Sequence, residues 1–368
     1  MATNPFKPSF GATPPLLAGR EGDLDQFRES LIDGPGAPGR ATIFTGARGV
    51  GKTVMLTEAA QAAAASGWIS VDVTATRGML DQIVEQAEAT TAHLRPTPGR
   101  RITGVGASGW SVQTALPLER TPGWRTRMSA IMDTLAQHGT GLLITVDEVH
   151  RRGIDDLREL AAAYQHFVRE DREIALVMAG LPAAVSDLLN DEVLTFLRRA
   201  DIHRLRDVPL DEVREALLVP IRAAGRTIDE DALAAAAQAT RGYPFLIQLV
   251  GYQIWRQHPD EPEISLEDVQ IGAAIAQRRM AATVHEASLA DASRIDRAFL
   301  TAMARSDGPV RTADVARILG TSSNYASQYR LRLIDAGLIQ AAGHGWIDFA
   351  VPYLREYLRE HPGPVEPR

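Results

Sequence analysis

Residues 46–53 read Gly-Ala-Arg-Gly-Val-Gly-Lys-Thr, the spacing G-x-x-x-x-G-K-[ST], which restricts the possible folds more than any other feature of the chain. Gly46, Gly49 and Gly51 let the backbone fold tightly around an anion. Lys52 can then reach the β- and γ-phosphates of a nucleotide, and the Thr53 hydroxyl can ligate magnesium. The motif carries this meaning only where a strand runs into it and a helix leaves it. Both conditions are met, because the β-type run Ala41-Thr-Ile-Phe-Thr45 precedes it and an Ala-rich helical stretch over 51–65 follows. Gly46, Ala47, Arg48, Gly49, Val50, Gly51, Lys52, Thr53 and Val54 are therefore the expected phosphate-side contacts.

The surrounding pattern alternates in the same sense. Strands are expected at 41–45, 68–74, 141–147 and 173–179, with helices at 51–65, 77–92, 125–138 and 154–169. Short apolar strands separated by helix-length segments predict an α/β fold, a P-loop parallel sheet with helices on both faces. A Gly- and Pro-containing stretch between His93 and Trp124 reads as an inserted hairpin or loop. Ahead of the core, four prolines (Pro5, Pro8, Pro14, Pro15) make residues 1–19 an extended arm, followed by a short helix over 21–32 and a breaker-rich linker over 33–40.

A second element fits the first. Leu142-Leu-Ile-Thr-Val-Asp147-Glu148 is a buried-strand run that ends in two carboxylates, as a P-loop ATPase needs. Asp147 would serve the metal with Thr53, and Glu148 would be the general base. His150 and Arg151-Arg152 follow at once and read as a solvated helix start.

Composition removes several classes of chemistry. The chain has no cysteine, which excludes disulfides, thiolate metal sites and cysteine nucleophiles and fits a reducing, cytoplasmic setting. No stretch approaches the roughly 18 apolar residues of a membrane span, so no membrane partner is expected. A formal charge of −7 over 368 residues excludes the whole surface as a polyanion binder.

Beyond about residue 207 strands are not expected. Helices are predicted at 210–224, 229–240, 243–256 and 264–280, the last opened by the capping-box spacing Ser265-Leu-Glu-Asp268. A third unit begins near 291. It contains a helix over 294–306, then Val310–Gly320 and Ser322–Ala336 joined by a short turn, which is helix-turn-helix spacing. Leu338–Phe349 alternates around Gly343 and Gly345 as a two-stranded wing would. The second helix of the pair should bury Leu331 and Ile334. Arg311, Ser322, Ser323, Asn324, Tyr325, Gln328, Arg330 and Arg332 make up the candidate DNA-reading face. Against DNA, residues 291–360 hold nine arginines and eight acids, a weakly basic balance.

Together these residues resemble the AAA+-type ATPases, in the branch shared by archaeal and actinobacterial STAND-like ATPases and origin-initiator-like proteins. The resemblance rests on Leu17-Ala-Gly-Arg20-Glu21, the P-loop, Val146-Asp-Glu-Val149, Met178-Ala-Gly-Leu-Pro182, Arg241-Gly-Tyr-Pro244 and the C-terminal winged helix. It implies ATP or ADP with Mg2+ as the ligand, Leu17, Ala18, Gly19 and Arg20 near the adenine, and Pro244 closing the base pocket from a helical lid. It also places Arg198 and Arg199 in the neighbourhood of the arginine finger, which acts across a subunit interface and so implies a homo-oligomer. Two positions depart from the family pattern. Val177-Met-Ala-Gly180 carries no polar sensor, and Tyr243-Pro244-Phe245 stands where initiator-type lids place a sensor arginine. Both departures imply slow hydrolysis.

The expected organisation is thus an N-terminal arm and adenine-side segment over 1–40, an ATPase core over 41–207, a helical lid over 208–290, a winged helix over 291–360 and a tail over 361–368. The expected function is that of a nucleotide-dependent switch with slow ATP hydrolysis, associated with double-stranded DNA through the winged helix. The alternative is a STAND-like signalling or scaffold ATPase whose winged helix makes intramolecular contacts or binds a protein partner.

Overall fold

A computed structural model describes residues 3–9, 11–94, 123–150, 153–192, 194–290 and 292–362. Most of the loop expected over 93–124, Arg151-Arg152 and most of the tail lie outside the described residues.

Five parallel strands form the central sheet: β1 (Ala41–Thr45), β2 (Ile69–Thr74), β3 (Leu142–Val149), β4 (Ile174–Gly180) and β5 (Asp201–Arg204), in the order β2-β3-β4-β1-β5. Their side chains alternate between two cores, as the two-residue period of a strand requires. In β4, Ala175, Val177 and Ala179 face one layer while Ile174, Leu176 and Met178 face the other. The helices α1 (Glu21–Asp33) and α2 (Lys52–Ala65) cover the first face. The second is covered by α3 (Met79–Thr91), α4 (Trp124–Gln137), α5 (Ile154–Arg169) and α6 (Pro182–Asn190). With both faces covered, β4 is buried along its whole length and reads as a continuous apolar run.

The expected strand set needs two corrections. Within the core, β5 is an additional strand, unexpected because Asp201-Ile-His-Arg204 has no apolar run; it exists because it pairs along the edge of β1. After it, the two-residue strands β6 (Thr227–Ile228) and β7 (Glu263–Ile264) pair in parallel within the lid. The lid is otherwise helical, with α7 (Leu210–Ala223), α8 (Glu230–Thr240), α9 (Pro244–Trp255) and α10 (Leu266–Met280). Ser265 and Asp268 form the predicted capping box, worth about 1 kcal/mol. A π-helical segment over 281–285 continues α10 into α11 (Glu286–Ala290).

The C-terminal unit holds α12 (Arg294–Ala304), β8 (Val310–Arg311), α13 (Thr312–Ile318), α14 (Ser323–Asp335), β9 (Ile339–Ala341), β10 (Trp346–Phe349) and α15 (Leu354–Glu360). Its strands form an antiparallel sheet in the order β8-β10-β9. One hydrophobic cluster runs unbroken from α2 and the first face of the sheet through the lid into this unit. In α14 the inward residues are Ala326 and Leu333, with Ile334 partly buried. Leu331, expected to face the core, is 56% exposed because the helix is rotated so that Leu333 takes the inward position.

Candidate functional site

The carboxyl ends of three adjacent strands, β3, β4 and β1, converge on one place, as an open parallel sheet dictates for its ligand site. From β1 the chain enters the Gly46–Gly51 loop and then α2, whose first backbone bond is Met55 N–H to the Gly51 carbonyl at 3.0 Å. The amides of Lys52, Thr53 and Val54 are left over at the helix start, which makes that end an anion-binding position. Gly49 has no replacement here. Its φ of +74° is left-handed, and a Cβ would lie 2.2 Å from the Tyr243 hydroxyl.

Lys52 Nζ donates to the Gly46 carbonyl at 2.9 Å and the Ala47 carbonyl at 2.7 Å. Burial pushes its ammonium down to about 8, against the raising influence of Asp147. It is a partly buried amine held against the carbonyls of the P-loop turn. The Thr53 hydroxyl donates to Asp147 Oδ2 at 2.7 Å, which joins the P-loop to the end of β3. Thr53 and Asp147 thus offer two hard oxygen donors in contact, of the chemistry that suits Mg2+. Glu148 follows with a left-handed φ of 52°, and its amide donates to Asp147 Oδ1 at 2.7 Å. This turn leaves the Glu148 carboxylate exposed at the mouth of the site.

A cavity of about 530 Å³ lies against these groups, a size usual for small-ligand and cofactor sites. Arg48 through Met55, Asp147, Glu148, Gly180 and Leu181 line its core side, and Pro244, Phe245 and Gln248 close it from α9. Leu17, Ala18 and Arg20 also line it, as the family pattern implied. Gly46 and Ala47 serve instead as acceptors for Lys52, while Gly19 sits against Glu212 of α7. Arg20 is buried, donates to the carbonyls of Gly19 and Arg206, and is held below the usual arginine range by burial. His150, read as part of a solvated helix start, lines the cavity as well.

Sequence reasoning missed two contributors. Lys7, Pro8, Ser9, Gly11 and Ala12 of the arm line the cavity, yet Pro-rich composition signals only an extended path. Tyr243 is fully buried and donates from its hydroxyl to the Arg48 carbonyl, so the lid holds the P-loop directly. Burial raises its phenol well above the ordinary value. Beside it, Arg241 pairs with Glu356 at 2.6 Å and lies 3.9 Å over the Tyr353 ring of the C-terminal unit.

Arg198 and Arg199 are not brought to this cavity. They precede β5, and the register Thr42↔Asp201 sets them at the opposite end of the sheet from Gly46, a strand length of roughly 13 Å or more. Arg198 Nε donates to the Leu189 carbonyl at 2.8 Å, and both arginines are exposed. Of the candidate reading face, Ser322, Ser323, Asn324, Tyr325 and Gln328 are exposed. Arg332 is paired with buried Asp296 at 3.0 Å, Arg311 lies 5.0 Å over the Trp346 ring, and Arg330 is half-buried.

This sheet, loop and carboxylate pair define the fold of a P-loop NTPase. Residues 16–177 match the family described as AAA ATPase domain, and residues 282–358 match a domain of unknown function (DUF8462). The structure is similar to a Walker-type ATPase of Pyrococcus abyssi, at 15% identity and a TM-score of 0.65, covering 93% of this chain and 96% of that one. It is also similar to the Aeropyrum pernix ORC2 protein solved as ADPNP–ADP complexes, at 14% identity and a TM-score of 0.61, covering 96% of each chain. Cdc6p from Pyrobaculum aerophilum aligns at 18% identity with a TM-score of 0.51, covering 96% of this chain and 97% of that one. At such identities the likeness is one of fold. No curated protein sequence matches the chain significantly. Among the described residues no helix is long and apolar enough to cross a membrane.

Proposed function

We propose that this chain is an ATP-binding switch that hydrolyses its nucleotide slowly and passes the state of the P-loop to its C-terminal winged helix. The observation that carries the reading is the segment Arg241–Pro244. Tyr243 bonds the P-loop, Pro244 lines the cavity and Arg241 grips Glu356 and Tyr353 of the C-terminal unit. Proximity supports it as well, since Gly337, just after α14, lies beside the P-loop: a Cβ added there would meet the Ala47 Cα at 3.6 Å, ordinary van der Waals contact.

Lys52 and the α2 amides would hold the phosphates, with Thr53 and Asp147 holding Mg2+, which when bound supplies positive charge against the phosphate oxygens. Glu148 is placed to accept a proton from water. Slow turnover follows from two features: Gly180 and Leu181 offer no side-chain donor, and Tyr243-Pro244-Phe245 brings no arginine to the start of α9. Arg198 and Arg199 lie too far away to act on the same chain's nucleotide. If either arginine acts, it acts on a neighbouring copy. The nucleotide is assigned as ATP or ADP by the AAA match and by the ligands of the A. pernix ORC2 structure.

The docking of α14 favours the signalling or scaffold form of this reading, because α14 packs on α6 while Arg332 pairs with Asp296 and Arg311 lies over Trp346. Exposure of Ser323, Asn324 and Gln328 favours the DNA-associated form. Amide hydrogen exchange over 333–341, with and without ATP and Mg2+, tests the switch. Nucleotide should change protection there in the parent and leave it unchanged in Lys52→Ala; equal protection in the parent despite bound nucleotide would sink the switch. Duplex binding that weakens with salt would decide for DNA, since phosphate contacts release counterions.

A further inference from the structure

The N-terminal arm is usually the part of a chain with least to hold it, yet here it is pinned to the lid and runs along the nucleotide cavity toward the core. On the lid side Phe6 is 2% exposed and lies against Gly251 of α9, where a Cβ would come within 2.5 Å of the ring. Around it, Asn4 Nδ2 donates to the Tyr252 carbonyl at 3.1 Å, and the Lys7 amide donates to Gln248 Oε1 at 3.1 Å. Gln248 itself lines the cavity. A turn follows, with Ser9 N–H to the Lys7 carbonyl at 2.8 Å and Ala12 N–H to the Ser9 carbonyl at 3.3 Å. On the core side Gly11, at φ +74°, stands where a Cβ would touch the Thr53 methyl at 3.9 Å. Lys7, Pro8, Ser9, Gly11 and Ala12 wall the cavity between these two ends.

We infer that this arm is a strap across the nucleotide site, anchored in the lid by Phe6, and that a bound nucleoside di- or triphosphate leaves only when the strap is released. The inference rests on the nucleotide reading above and deepens it. The arm runs from its anchor on α9 past Thr53 and on into α1 of the core, so separation of lid and core stretches it, and its anchor sets the rate of that separation. Lys7 adds a positive charge to the mouth, where a polyphosphate must pass.

Release of a fluorescent ADP from the full chain, followed by stopped flow after mixing with excess ADP, tests this. Phe6→Ala and a chain lacking residues 1–9 should each release the nucleotide about tenfold faster or more, as loss of a buried aromatic anchor implies. Release at the parent rate from a folded Phe6→Ala variant overturns the strap while leaving the nucleotide reading intact. Failure of the parent chain to bind ADP at all removes the nucleotide reading and the strap with it. A second measurement does not depend on the fold of those variants. The chain has no native cysteine, so a thiol introduced by Ser9→Cys reports on that position alone. ADP should slow its modification by a thiol reagent at least several-fold; equal rates with and without saturating ADP overturn the strap.

Discussion

The nucleotide end of the sheet and the C-terminal unit both carry a motif recognisable by spacing, but they use their polar groups in opposite ways. Around the P-loop, backbone geometry holds the atoms: Gly49 and Glu148 take left-handed turns, and Lys52 and Thr53 bond to neighbours while still facing the cavity. In the C-terminal unit several arginines pair with acids of the unit itself while remaining partly exposed. Arg332 neutralises Asp296, Arg355 pairs with Asp348, and Arg359 pairs with Asp307. Spacing along a helix therefore says where a side chain sits, whereas availability depends on charges brought from distant parts of the chain.

The largest expected effect falls on the first region. Glu148→Gln should retain ATP binding and lower turnover by about 10²- to 10⁴-fold, the usual scale for losing a general base. Hydrolysis by this variant at the parent rate would falsify the role given to Glu148. A smaller effect separates the two regions. Arg332→Ala leaves the buried Asp296 carboxylate without its cation and should cost about 1 kcal/mol in urea unfolding, with Gln328→Ala near zero. If Arg332→Ala instead keeps full stability and weakens duplex binding, the arginine is a contact surface and the contrast drawn above collapses.

The smallest effect is a pH dependence at the edge of the sheet. His203 Nδ1 lies 2.9 Å from Asp23 Oδ1 and Nε2 lies 2.7 Å from Asp201 Oδ2, both nitrogens donating when the ring is protonated, and the Asp23 bond is the main cause of its raised pKa. With a folded value above the unfolded 6.5, the stabilisation is complete below about pH 6.5 and fades as pH rises through the folded value. His203→Gln should flatten the stability profile between about pH 6 and 8. An unchanged slope would show that other groups set it.

Much of the fold was legible because apolar period and breaker residues agree with the final layers. The strands β1 to β4, the capping box at Ser265 and the paired helices α13 and α14 lie within a residue or two of their expected bounds. What was illegible depends on partners. Strand β5 is charged in sequence and exists only by pairing with β1, and β6 and β7 are too short to show a period. Leu331 and Leu333 are equally apolar, so only the packing of α14 decides which turns inward. The phosphate-side residues were readable one by one, but Tyr243 reaches the P-loop, and His150 and the arm reach the cavity, through tertiary structure.

Residues 241–244 are four neighbours with four different destinations: the C-terminal unit for Arg241, the backbone at Val208 for Gly242, the P-loop for Tyr243 and the cavity wall for Pro244. Such a segment tolerates insertion worse than substitution. A substitution removes one contact, whereas one added residue shifts the register of the whole segment and redirects every side chain after it. The length between the end of α8 and the start of α9 is therefore under tighter constraint than any single letter within it.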